Sequence, residues 1–165
     1  MDMSTILKRH SSIKVIPYSD EYRSQVIAGA HQMHEDSPYN IMPMDEEKVI
    51  RQLAACGNIV PDRYFRLAVR NGKVLGGFYG AVQRPFFSDV LRATDLGWWV
   101  LRERRGSAAA IILLNDFEKW AKEQRAALIM VGQSTGRNIK RTTKLYEHCG
   151  FRVIGYNTVK EIDHG

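Results

Sequence analysis

The sequence predicts one mixed α/β domain, and three observations carry that prediction. Two apolar segments meet at Asn71-Gly72, a dipeptide in which both residues readily take positive φ, so the pair reads as an antiparallel hairpin. A stripe of Ala110, Leu113, Leu114, Phe117 and Ala121 predicts a helix over about residues 106–124. That helix lies between a strand-like segment, Val90–Leu101, and the wholly apolar run Ala127–Val131. Strand, helix and strand make a βαβ crossover, which forces the two strands to be parallel. The predicted sheet is therefore mixed. With 165 residues the chain can bury one sizeable core. We expect residues 1–12 to be a flexible N-terminal segment and residues 13–165 to form a single domain.

The elements follow in order. Ile13–Tyr18 alternates weakly and reads as a strand. Ser19 or Asp20 caps a helix over Glu21–His34, with Tyr22, Val26, Ala30 and Met33 at helical spacing. The stretch E-D-S-P-Y-N-I-M-P breaks it, because proline disfavours helix at and before itself. Asp45 or Met44 opens a second helix carrying Val49, Ile50 and Leu53, and Gly57-Asn58 ends it. Phe65, Leu67 and Val69 form the first hairpin strand and Val74–Val82 the second. Gly76, Gly77 and Gly80 weaken that second strand, marking a bulge or a close backbone approach. Arg84-Pro85 ends it. In the long helix, Glu118 and Lys122 are an i,i+4 pair on the wet side. Ala127–Val131 fits a strand buried on both faces. A polar turn leads to a short helix ending at Gly150, and Phe151–Ile162 is a last strand or strand pair.

Composition excludes several classes. Apolar residues are 44% and charged residues 25%, a globular balance rather than a disordered one. No run of about 18 apolar residues is present, so no membrane span is expected. The first residues lack the apolar core of a secretory signal. Cys56 and Cys149 make no disulfide framework and point to a reducing, cytoplasmic setting. No metal-ligand spacing occurs, so no metal is expected. The net charge of +6 permits an anionic cofactor or nucleic acid. The basic residues are scattered and no nucleic-acid-binding motif appears, which counts against nucleic acid.

Residues 100–110 read V-L-R-E-R-R-G-S-A-A-A. They fall at the end of a strand and the start of a helix, where backbone N–H groups are unpaired and the helix dipole is positive. Gly106, Ser107, Ala108, Ala109 and Ala110 leave the backbone reachable, and Arg102, Arg104 and Arg105 add charge. The turn reads as a site for phosphate or pyrophosphate. It reads equally as a solvated basic turn whose small residues pack tightly.

The same stretch resembles the acyl-CoA pyrophosphate loop of the GNAT (Gcn5-related N-acetyltransferase) superfamily, Arg/Gln-x-x-Gly-x-Gly/Ala. Arg105 takes the first place, Ala108 the middle glycine and Ala110 the last. Downstream, L-Y-E-H-C-G-F at 145–151 resembles that family's Leu-Tyr-Glu-x-x-Gly-Phe element. The two motifs occur in order, and the resemblance covers roughly residues 65–162. The general look is nearest to small phage-encoded members. The resemblance implies the GNAT acyl-CoA N-acyltransferase fold, a mostly antiparallel α/β (α+β) sheet with a splayed parallel strand pair flanked by helices. It implies acetyl-CoA as cofactor, an amine acceptor, and direct transfer to a small amine, a protein lysine or an N-terminus. Backbone groups of Trp98, Trp99, Val100 and Leu101 would pair with the pantetheine arm. Arg104, Arg105 and the loop to Ala110 would hold the pyrophosphate.

Tyr146 matches the family tyrosine that protonates the departing thiolate; it reads equally as a packed aromatic at a helix end. A phenol suits the task, its pKa lying within about 2 units of a thiol's. Asp95, on the strand before the loop, and Glu35 with His34, at the end of the first helix, are the candidate bases. Asn138 stands one residue before the place where the family often has a pantetheine-binding Asn, and it reads equally as a helix N-cap. Ser134 and Thr135 offer polar contacts at the strand end, and Cys149 reads as packing. Phe86, Phe87 and Tyr39 would line an acceptor pocket made acidic by Glu35, Asp36 and Asp89. Ala108 and the displaced Asn support one alternative, a catalytically silent relative that binds CoA or a partner. The final strands leave a homodimer open.

Overall fold

The computed structural model describes residues 13–57, 59–133 and 135–162. Expectations for residues 1–12, Asn58, Ser134 and residues 163–165 lie outside them. Five strands form one sheet in the order β1-β2-β3-β4-β5: β1 Lys14–Pro17, β2 Arg63–Arg70, β3 Lys73–Gln83, β4 Arg92–Val100 and β5 Leu128–Met130. The first three neighbour pairs are antiparallel. β4 and β5 are parallel. The helices are α1 Arg23–Glu35, α2 Glu46–Ala54, α3 Ala109–Glu123 and α4 Ile139–His148.

Local chemistry explains most boundaries. Asn71 and Gly72 have φ of 53° and 72°, so the β2–β3 hairpin closes on the turn its dipeptide demands. Asp45 caps α2, its carboxylate accepting the Lys48 N–H at 2.9 Å. The chain after α1 turns into a short 3-10 segment, Pro38–Ile41, with Ser37 Oγ accepting the Tyr39 N–H. Helix α3 begins at Ala109, three residues later than expected, because Gly106 has φ of 93° and cannot be helical. A 3-10 turn over Arg102–Arg104 fills the gap. Glu118 and Lys122 make the expected ion pair at 2.6 Å.

Both faces of the sheet are covered. On one face α3 buries Leu113, Leu114 and Phe117 against Leu75, Phe78 and Ala93. On the other, Val26 of α1 and Ile50 and Leu53 of α2 pack on Phe65, Leu67 and Trp99. Tyr64 joins an aromatic group with Phe78, Phe117 and Trp120, and its hydroxyl donates to Asp116 at 2.6 Å. The glycines of β3 make room for these rings. A Cβ at Gly77 would overlap the Trp99 indole, and one at Gly80 would lie 2.5 Å from Phe117 Cε2. The bulge that the glycines suggested is on β3, where Ala68 pairs with Gly76 and Val69 with Val74 so that Leu75 is the extra residue, and a second bulge falls on β4. Tyr79 pairs with Gly97 and Gly80 with Asp95, so Leu96 is the extra residue.

Two expectations are corrected. Phe151–Ile162 forms no strand and finds no ladder partner; Val153, Ile154, Tyr156, Val159 and Ile162 are exposed. As a result β5 is an edge strand and is not buried on both faces. Ile129 packs on the α3-side core, whereas Leu128 and Met130 face outward and are exposed.

Gly77→Ala should destabilise the protein by about 1–3 kcal/mol, the usual cost of forcing a methyl into a filled core. A lower urea midpoint is the expected result. An unchanged midpoint would show that the Trp99 ring has room to move.

Candidate active site

The β4–β5 ladder runs for three residue pairs, from Arg92↔Leu128 to Thr94↔Met130. It stops at Asp95, whose Oδ1 accepts the Gly132 N–H at 3.0 Å. A side chain thus takes the donor at the end of β5, and the two strands part. β4 continues to Val100, paired with β3 alone among the described residues. The edge of Trp98–Val100 that would face β5 is left beside a gap.

Tyr146, in the last turn of α4, reaches the same point. Its hydroxyl donates to the Gly132 carbonyl at 2.8 Å, and its ring packs against Trp98 and Phe151. Both peptide groups of Gly132 are therefore held by side chains, one from Asp95 and one from Tyr146. Burial, and secondly the Asp95 charge, push the phenol well above its ordinary range. It stays protonated at neutral pH, but is a weaker acid than a free phenol and no longer closely matched to a thiol. Burial also raises the Asp95 carboxyl, partly offset by hydrogen bonding from Gly132 N–H.

The turn after β4 is shaped by Gly106. Its guanidinium neighbour is Arg141 of α4, whose Nη2 lies 2.7 Å from where a Cβ would stand. Ala108 has φ of −71°, an ordinary conformation, so its methyl group imposes no backbone strain. Ser107 N–H bonds Arg104 O, and Ala109 N–H reaches Ser107 Oγ. The first turn of α3 has no side-chain cap, and its remaining N–H groups lack intrahelical acceptors. With Gly106 exposed, this turn can receive an anion. These residues fit the diphosphate of an acyl-CoA.

The expected site residues divide into two groups. Asp95, Trp98 and Tyr146 meet at the strand gap, and Arg104–Ala110 form the turn beside it. Trp99 is in place through its backbone, but its indole is core, packed between Gly77 and Gly29. Val100 O accepts Arg105 Nε at 3.4 Å, and Leu101 N–H bonds Leu75 O. Glu35 is exposed and paired with Arg102 at 2.9 Å, apart from the Asp95–Gly132–Tyr146 chain. His34 Nε2 contacts Met42 O at 2.8 Å and braces the segment after α1. Asn138 is the N-cap residue of α4, with a left-handed φ of 51° and no side-chain cap bond. Thr135 Oγ1 accepts the Arg137 N–H, and Cys149 packs against the α3-side core. Phe86 and Phe87 stack edge to face at 5.1 Å and, like Tyr39, are exposed.

Asp36 is the residue that sequence reasoning misplaced. It does not acidify an acceptor pocket, because it is buried and bound by Arg102, Arg105 and Arg137. Arg137, Arg141 and Gly132 were not singled out. A basic residue shortly before the second motif was the available signal for the two arginines.

Among the described residues, no group of three or more His, Cys, Asp or Glu could hold a metal ion. No described helix is long and apolar enough to cross a membrane. The Acetyltransferase (GNAT) family matches over residues 27–151, and the chain belongs to that family. No curated protein matches the sequence. Among solved structures, a transcriptional regulator from Bacillus halodurans superposes with a TM-score of 0.72 at 14% identity, covering 91% of this chain and 99% of that one. Glucosamine-6-phosphate N-acetyltransferase from Arabidopsis thaliana gives 0.70 at 13% identity, covering 92% and 99%. An aminoglycoside acetyltransferase from an uncultured soil metagenomic sample, in complex with sisomicin, gives 0.63 at 12% identity, covering 92% and 98%. At these identities the likeness is one of fold.

The arginines have a measurable consequence for stability. Arg102, then Arg105, pull the Asp36 carboxyl from its ordinary 3.8 down to about 2. A depressed acid stabilises the fold fully above its unfolded pKa and loses that contribution as pH falls through the folded one. The stability gap between wild type and Asp36→Asn should be constant above about pH 4 and close toward pH 2. Equilibrium unfolding across that window measures it. A gap independent of pH would contradict the ion-paired carboxylate.

Proposed function

We propose that this protein transfers an acetyl group from acetyl-CoA to a primary amine, acting as a single domain spanning residues 13–165. The observation that carries the reading is the parting of β4 from β5 beside an anion-receptive turn, with the Tyr146 phenol at the point of parting. Acetyl-CoA supplies a thioester, an activated acyl group with a good leaving thiolate. The exposed edge of Trp98–Leu101 would pair with the amide groups of its arm, as one more strand would. The Arg104–Ala110 turn would hold its diphosphate.

The residues then have distinct roles. Asp95, its carboxyl raised above the ordinary range by burial, accepts the amine's proton directly or through a water. The amine nitrogen bonds the acyl carbon and the carbon–sulfur bond breaks. Tyr146 Oη gives its proton to the departing sulfur, with orientation supplied by the groove. Glu35, held by Arg102, is the weaker candidate for base. The acceptor enters from the side of Tyr39, Phe86 and Phe87, whose exposed rings suit an amine carried on a larger molecule as well as a small one. Free Cys56 and Cys149 fit a reducing, cytoplasmic setting.

Calorimetric titration with acetyl-CoA, followed by an assay for thiol release over a panel of amines and peptides, tests the reading. Micromolar binding, about −8 kcal/mol, with amine-dependent thiol release is expected. Binding without release from any acceptor would favour the silent relative. Tyr146→Phe should lower kcat by roughly 10²-fold while leaving acetyl-CoA affinity unchanged. Activity should fall in acid as Asp95 is protonated, and in alkali only well above neutrality, where the buried phenol ionises. Equal turnover of wild type and Tyr146→Phe across the pH range would remove Tyr146 as the acid.

A further inference from the structure

One buried carboxylate gathers three arginines from two separate loops. The Asp36 side chain, just after α1, is 3% exposed. Its Oδ1 accepts from Arg102 Nη2 at 3.0 Å and lies 3.1 Å from Arg137 Nη1. Its Oδ2 accepts from Arg105 Nη2 at 2.6 Å and from Arg102 Nε at 3.3 Å. Arg102 also binds Glu35. Arg102 and Arg105 come from the turn between β4 and α3. Arg137 comes from the loop between β5 and α4, on the far side of the gap. That loop is itself braced: the Gln133 side chain donates to Arg137 O, and Arg137 N–H reaches Thr135 Oγ1.

A carboxylate offers about four lone-pair sites, and the three arginines fill them on Asp36. They also bring three like charges together, which Asp36 and Glu35 offset only in part. Three guanidiniums against Asp36 and Glu35 leave one positive charge over, and Arg141 adds another above Gly106. The carboxylate lies inside and the arginines outside, 39–62% exposed. Their solvent-facing N–H groups are therefore open, and Arg102 and Arg105 belong to the same β4–α3 connection as Gly106–Ala110. An incoming phosphate would meet those groups without displacing the carboxylate.

We propose that Asp36 is the positioning residue of a polyphosphate receptor made of Arg102, Arg105 and Arg137, closing across the strand gap. It deepens the acetyl-CoA reading, on which it rests for the identity of the natural ligand: the diphosphate-bearing half of the cofactor. Asp36 touches no ligand. It orients the arginines that do, and it ties the end of α1 to both loops.

The test is calorimetry with inorganic pyrophosphate and, separately, with acetyl-CoA, on wild type, Asp36→Asn and Arg137→Gln. Wild type should bind pyrophosphate saturably, and both variants should bind it about tenfold more weakly or worse. In acetyl transfer, KM for acetyl-CoA should rise by a similar factor while kcat at saturation holds, a split that general loosening of the fold would not give. Arg137 is largely exposed, so Arg137→Gln should keep the wild-type unfolding midpoint and decides the matter if Asp36→Asn does not fold. Pyrophosphate binding that is unchanged in Arg137→Gln, or tighter in Asp36→Asn, would overturn the proposal. So would its absence in wild type. Wild type that binds pyrophosphate but not acetyl-CoA would uphold the receptor and refute the acetyl-transfer reading.

Discussion

The hydrogen bond from Gly132 N–H to the Asp95 carboxylate is the constraint on which the site depends. It ends a parallel ladder after three pairs and lets β4 run on without its neighbour. The extra residue at Leu96 turns the strand at the same place, as bulges do where a sheet must be re-aimed. Tyr146 then takes the Gly132 carbonyl, so the peptide at the fork is fixed from both sides. The parting of the strands, the Asp95 carboxylate and the Tyr146 phenol thus meet at one residue whose own side chain is a hydrogen atom.

Such a fork needs a rigid support, since the free edge of β4 must keep its shape. Trp99 provides it on one face. Its indole fills the space left by Gly77 and Gly29, between the sheet and α1, and stacks on Phe65 at 6.0 Å. Phe117 does the same on the other face over Gly80, stacked on Phe78 at 4.4 Å. Leu101 N–H, bonded to Leu75 O, fixes where the strand ends and the arginine turn begins. Position at the turn is therefore inherited from the core, the condition for an anion to be met by donors already aimed.

What could be read in the sequence was local or periodic. The hairpin was legible because Asn71-Gly72 requires positive φ at both positions, whatever surrounds them. Helix α3 was legible from its stripe, and the crossover from the order of strand, helix and strand. The turn at Arg105–Ala110 and Tyr146 were found by motif, and the family match confirms the resemblance that named them. The misses are all long-range. Asp36 read as an acid of the acceptor pocket, because nothing in H-E-D-S-P announces arginines from beyond residue 100. Phe151–Ile162 has the composition of a strand, but a ladder needs a partner, and the structure gives it none. For the same reason the apolar run at 128–130 looked buried on both faces and is exposed on one.

Amide hydrogen exchange with and without acetyl-CoA tests the central claim most directly. If the gap beside β4 takes the cofactor's arm and the following turn its diphosphate, acetyl-CoA will slow exchange at Trp98–Leu101 and at Gly106–Ala110 together. Protection confined to other segments, or binding that leaves both stretches unchanged, would contradict the account.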